Sequence, residues 1–267
     1  MNETELKNLL AAQHQGGNWA NVDTLSMIAH IGSTDPELRD ELIYRGFVKM
    51  IIHQDQLSST TLEELLTICL DDLLMKGIGE KNTDSVFTRA FTTLLMTLIV
   101  YRDNEDNFLP ASKVTTTKEH VIRYINEEQD LRGYVLQKGW AHSVAHVADL
   151  VDELAKNPKV DTEDHRNLLL PLWNKVLTGD SVYLHDEDER ILIPTMEMLD
   201  RGLDSHILEN WISELPDYFK KQQLPPEKYW VLQANAKKFL KSFHLELSRT
   251  STFPSLQKSI ENSLDTI

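Results

Sequence analysis

The chain has 267 residues and a formal net charge of −15, from 27 Lys+Arg against 42 Asp+Glu. It is long enough to bury a sizeable core, and its hydrophobic content of 41% and charged content of 26% are those of an ordinary globular protein. Such a charge repels phosphate backbones, so nucleic acid is not an expected partner, and the short basic clusters (Lys237, Lys238 and Lys241; Lys220 with Lys221) read as solvated helix faces.

The start, "MNETELKNLL", has neither the basic flank nor the apolar run of a signal peptide. Further on, "TDPELRDELIYRGFVKMII" opens on Asp35 as an expected N-cap, with Pro36 at the first helical position. "SSTTLEELLTICLDDLLMKG" begins on a Ser/Thr cluster and stops at Gly77. It carries Cys69, the only cysteine, which excludes an intramolecular disulfide and reads as a buried, inert thiol. The most apolar stretch, 91–101, spans 11 residues. A membrane helix needs roughly 20, so the chain is expected to be soluble and cytosolic, with no membrane partner.

"TTTKEHVIRYINEE" spells a capping box, Thr116 with Glu119. Next comes a helix expected over 139–154. Beyond it, "DTEDHRNLLLPLWNKVLTG" is expected to end at Gly179 and "DEDERILIPTMEMLDRG" at Gly202, with Pro171 and Pro194 kinking or breaking them. Three more helical segments complete the chain. The sum is an all-α fold of eleven or twelve helices, taken as a single domain over 1–267. Two helices in each 40 residues or so suit stacked antiparallel hairpins of the HEAT or armadillo kind; a compact or toroidal α/α array fits nearly as well.

The candidate site is "GWAHSVAHVADLVDEL". With about 100° per residue, Trp140, Val144, Val147, Val151 and Leu154 make an apolar stripe. His142, His146, Asp149 and Glu153 gather on the opposite side. Histidines at i and i+4 are how a helix presents two imidazoles to zinc or another divalent metal, and Asp149 could add an oxygen ligand. Two other readings stand beside it: a solvated face, and a buried polar network that must be satisfied internally. The Ala141, Ala145 and Ala148 flank suggests that the helix is covered on more than one side. Upstream, Asp130 and Arg132 read as a local salt bridge or as an anion contact. Downstream, Glu187, Asp188, Glu189 and Arg190 suit a helix N-terminus, and a carboxylate there is the best outside partner for the histidines. No phosphate loop, nucleophile elbow or H-E-x-x-H motif occurs.

Three pieces, "DLRGYVLQKGWAHSVAHVADLVDEL", "EDERIL" and "NAKKFLKSFHLEL", resemble the bacterial family DUF2785, a domain of unknown function, over roughly residues 30–250. The resemblance carries over to Asp130, Arg132, Gly133, Gly139, Trp140, His142, His146 and Asp149, and to Glu187, Asp188, Glu189 and Arg190. It implies that these polar residues form a shared pattern and supplies no activity.

Two functions follow as expectations. One is a helical binding module that takes a protein segment or small ligand near 139–154, with Asp130, Arg132, Trp140, Glu187, Asp188 and Arg190 as contacts. The other is a metal-dependent, hydrolase-like enzyme with His142 and His146 as ligands. In it Asp149 is a ligand or orienter, Glu187 or Asp188 a further ligand or base, and Arg132 or Arg190 stabilises an anionic transition state. The binding module is preferred, because helical arrays far more often bind than catalyse.

Overall fold

The helical period read from the sequence is realised as twelve α-helices among the described residues, with one pair of two-residue strands. The structure, a computed structural model, describes residues 1–19, 22–54, 56–250 and 252–267. The chain divides into two compact units, Met1–Val160 and Asp161–Ile267.

The first unit begins with α1 (Glu3–His14) and α2 (Thr24–Ala29), capped by Asn2 and Asp23. A continuous helical run over 37–53 follows, in which π-helical turns flank α3 (Arg45–Val48). Asp35 starts this run as expected: its Oδ1 accepts from the amides of Glu37 and Leu38 at 2.9 and 3.4 Å. Ser58 likewise caps α4 (Ser59–Ile68), which passes into a π-helical turn, Cys69–Leu73. Gly77, at φ +63°, then sits in the left-handed region where glycine has no Cβ penalty.

The apolar run at 91–101 lies in α5 (Ser85–Asp106), the central helix of this unit and one buried on nearly every side. Two of its buried hydroxyls are satisfied within the helix: Thr92 donates to the Thr88 carbonyl and Thr93 to the Ala90 carbonyl, both at 2.7 Å. No helix among the described residues is long and apolar enough to cross a membrane.

Helix α6 (Ala111–Glu127) corrects one expectation. It starts directly after Pro110, five residues before the Thr116–Glu119 box. Thr116 is therefore a mid-helix residue whose hydroxyl donates to the Ser112 carbonyl at 3.0 Å. A short antiparallel hairpin follows, β1 (Tyr134–Val135) and β2 (Gly139–Trp140), with Tyr134 opposite Trp140. The unit closes with α7 (Ser143–Lys156), which packs along α5.

The second unit holds α8 (Thr162–Asn174), α9 (Glu187–Asp200), α10 (Ser205–Lys220), α11 (Pro226–Thr250) and α12 (Pro254–Leu264). Helices α8 and α9 continue through Pro171 and Pro194 rather than breaking, and α8 ends at Asn174, short of Gly179. Trp173 centres the core, edge-on to Phe239 at 5.0 Å and to Phe243 at 5.5 Å. Its indole N–H donates to the Thr195 hydroxyl at 2.9 Å, so the buried ring leaves no donor unpaired.

Candidate functional site

In the first unit the motif residues build the approach to α7. Gly139 and Trp140 are strand, not helix, and the helix begins only at Ser143. His142 stands just before it in the left-handed conformation, φ +50°. The expected 139–154 helix is therefore shortened by four residues, and Trp140 leaves the apolar stripe in which the helical wheel placed it. Val144, Val147, Val151 and Leu154 do form that stripe, and all four are buried.

The opposite side of α7 is not solvent. Eleven of its 14 residues are buried, His146 among them, which removes the solvated-face reading for the centre of the motif. The His146 ring sits edge-on to Phe91 at 5.2 Å and to His142 at 5.7 Å. His142 in turn stacks on Trp140 at 4.5 Å and 27°, and Trp140 meets Tyr134 edge-on at 5.0 Å. Asp149 is half-buried, and Glu153 accepts from the Asn104 amide at 2.9 Å.

Charged residues of the motif are committed to holding this approach. Asp130 is buried, and its carboxylate takes the Arg132 guanidinium in a two-pronged contact, Nε to Oδ1 at 2.7 Å and the terminal nitrogen to Oδ2 at 2.6 Å. The same carboxylate accepts from the Asn82 amide at 2.9 Å, and the Ser143 hydroxyl donates to the Asp130 carbonyl at 2.6 Å. Arg132 also donates to the Thr83 carbonyl at 2.7 Å.

Two arginines outside the motif complete the frame, and the sequence reading missed both. Arg39, fully buried, donates to the Lys138 carbonyl at 2.8 Å and the Trp140 carbonyl at 3.3 Å, with its plane over Phe87 and Phe91. Burial lowers the pKa of its guanidinium, and Asp40 opposes the shift from 2.8 Å. The Asp40 carboxyl is itself pushed up to about 6 by burial, against the pull of Arg39. Gly139 is required here: at φ +77°, any Cβ would lie 2.8 Å from Pro36 and 3.0 Å from Arg39.

Arg89 grips Glu128 with Nε and a terminal nitrogen at 2.6 and 2.9 Å, and Glu128 accepts from the Asp130 amide at 2.9 Å. Burial alone would lower the Arg89 pKa, but the bonds to Glu128 outweigh it and raise it above its ordinary value. A signal did exist in the sequence. Arg89 interrupts "SVFTRAFTTLLM", and a cation inside a core helix must have a buried partner.

In the second unit the E-D-E-R piece starts α9, entered through Asp186 at φ +62°. Glu187 and Asp188 are buried, Glu189 is exposed and Arg190 is half-buried. Glu187 accepts from the His185 amide at 2.9 Å, and its other oxygen lies 3.7 Å from the His185 Nδ1. Asp188 pairs with Lys238 at 2.9 Å and accepts from the Ser242 hydroxyl at 3.4 Å.

The third motif piece explains itself at this point. Asn235, Lys238 and Ser242 lie on α11 at i, i+3 and i+7, one face of the helix. Asn235 accepts from the Tyr183 amide at 3.0 Å and donates to the Ser181 carbonyl at 2.8 Å, so this face holds both α9 and the loop before it. Tyr183 is buried there, its hydroxyl donating to the Lys175 carbonyl at 2.7 Å. Burial, with Glu187 and Asp188 close by, raises the pKa of its phenol far above the usual range. Cys69 is buried as expected, and burial pushes its thiol well above the ordinary range, so it remains protonated.

Fold and site define an all-helical protein whose signature residues shape two helix entrances. The chain belongs to DUF2785: the model for that family, described as a protein of unknown function, matches residues 74–245 and so covers both motifs. The match begins well after residue 30, from which the resemblance was expected to run. No curated protein and no solved structure matches.

Proposed function

We propose that the protein is a binding module that takes a protein segment on the exposed side of the β1–β2 hairpin. One observation supports this above the rest. Asp130 and Arg132 bond to each other, to the Asn82 amide and to the Thr83 carbonyl, while the hairpin leaves Tyr134, Leu136 and Trp140 at 51%, 81% and 37% exposure. Large apolar side chains held out by a rigid frame are the usual anchors of an interface. In this reading Asp130 and Arg132 position the surface, and Trp140, stacked on His142, is its centre. The reading takes 1–267 as one domain of stacked helical hairpins; limited proteolysis that releases a stable half would contradict that part.

The test is a selection of displayed peptides against the whole protein. Enriched peptides should bind with micromolar affinity or better and lose about tenfold or more in Trp140→Ala and Leu136→Ser, with circular dichroism unchanged. Peptides that bind both variants as well as the original would sink it.

A metal-dependent enzyme is the second reading. His142 and His146 support it, as two imidazoles with ring centres 5.7 Å apart, with half-buried Asp149 on the helix of His146. Such a site needs at least three protein ligands, and His185 with Glu187 is a nitrogen–oxygen pair of the right kind in the second unit. Metal content by plasma mass spectrometry separates the readings. About one equivalent of zinc, lost in the His142→Ala/His146→Ala double variant with the fold intact, would favour the enzyme.

A further inference from the structure

The second unit contains a groove that the helix-entrance motifs do not use. It runs along α10, has a volume of about 490 Å³, and is lined by Asn174, Leu177, Trp211, Glu214, Leu215 and Tyr218. Four of these, 211, 214, 215 and 218, follow the i, i+3, i+4, i+7 rule and so form a single stripe of one helix. That volume is within the range of small-ligand sites.

The chemistry of the lining is specific. The Trp211 indole N–H is already given to the Asn174 side-chain oxygen at 2.9 Å, and the ring is braced edge-to-face by Trp173 at 5.0 Å. What Trp211 has left to offer is ring surface. Tyr218 supplies a second aromatic ring two turns further along. Between them stands Glu214, exposed, with its carboxylate engaged in no ion pair or hydrogen bond among the described residues. Its neighbours on α10 differ: Asp217 is paired with Lys220 at 2.9 Å, and Glu209 takes the Ser205 hydroxyl and the His206 ring at 3.2 and 3.0 Å. An uncommitted anion between two aromatic rings favours a cation with an apolar shell. A bare metal ion fits poorly, since the groove offers one free carboxylate and the Asn174 oxygen is taken.

We propose that this groove binds an organic ammonium ion, with its alkylated head group against Trp211 and Tyr218 and its charge answered by Glu214. Ring faces attract such cations through their quadrupole, most strongly for tryptophan. The head group is shared by free quaternary amines and by the methylated lysine side chain of a peptide. This proposal does not rest on the hairpin surface proposed above.

The test follows the Trp211 indole N–H resonance, assigned by its loss in Trp211→Phe, while the whole protein is titrated at constant ionic strength. One arm uses choline, one a trimethyl-lysine peptide, and one the uncharged carbon isostere of choline. The expected result is a saturable shift with at least one of the two ammonium probes and none with the isostere; which probe binds more tightly identifies the source. Glu214→Gln, a surface change that leaves the helix intact, should weaken the binding about tenfold, and Tyr218→Leu about fivefold. An equal response to the isostere would make the groove merely apolar and overturn the proposal, as would no saturable shift with either ammonium probe.

Discussion

The entrances to α7 and α9 solve one problem with opposite electrostatics. Each helix is entered through a non-glycine residue in the left-handed region, His142 and Asp186. Each is anchored by buried charge. At α7 every buried charge described has an opposite charge on it: Arg39 with Asp40, Arg89 with Glu128, Arg132 with Asp130. At α9 two buried carboxylates, Glu187 and Asp188, sit in the first turn with the half-exposed Lys238 bound to one of them. There the helix dipole favours the negative charge. A paired, buried network is costly to break, because losing one partner strands the other away from water. A buried cluster favoured by the dipole and answered by a half-exposed lysine should be more forgiving.

The largest expected effect is at the base of the α7 network. Glu128→Ala leaves Arg89 buried without its carboxylate and should cost about 3–5 kcal/mol in urea denaturation. A loss below about 1 kcal/mol would mean that water reaches Arg89 and that the contrast between the entrances is wrong. Asp130→Asn comes next. It keeps the shape but weakens a two-pronged charged contact, and should cost about 2 kcal/mol.

Much of the fold was legible because its signals are local. The Asp35 and Ser58 caps, the left-handed Gly77 and the apolar stripe of α7 each depend on residues within a turn or two. The α7 entrance was not legible, for a physical reason. Its strands are two residues long, too short for an alternation to register, and Trp140 happens to fit the helical stripe that continues behind it. The ties that hold the hairpin are distant in sequence, Arg39 being 99 residues from Lys138 and Arg89 being 39 from Glu128. The Thr116–Glu119 pattern misled in the other direction. A capping box is a local option, and α6 declined it by starting at Pro110. In the second unit the sequence named both pieces and not their relation, since the Asp188–Lys238 contact is tertiary.

Acid gives a milder way to sharpen the comparison. The Asp40 carboxyl, raised to about 6 by burial, binds its proton more tightly in the folded chain than at its ordinary value of 3.8. Its contribution is therefore fully present below about pH 4 and is lost as pH rises through 6. Against Asp40→Asn, the wild-type protein should lose about 1–2 kcal/mol of relative stability between pH 4 and pH 7, after discounting for partial solvent access. Parallel stability–pH curves for the two proteins would show that Arg39 fully offsets the burial.

At α9 the expected change is smaller. Asp188→Asn removes one of four consecutive acidic residues and relieves repulsion while it loses the Lys238 pair, so the two nearly cancel, to within about 1 kcal/mol. A loss matching that of Asp130→Asn would erase the distinction between the entrances.

The smallest effect on stability is the one most informative about function. Trp140 is part of the α7 entrance, but its outer face is exposed, so Trp140→Ala should cost about 1 kcal/mol or less. If the hairpin is a docking surface, the same change removes most of the peptide affinity. A residue that matters little to folding and greatly to binding is what a frame built from other residues' charges would be expected to hold out. Should Trp140→Ala instead cost as much as Asp130→Asn, the stack on His142 is part of the frame, and the hairpin serves the fold rather than a partner.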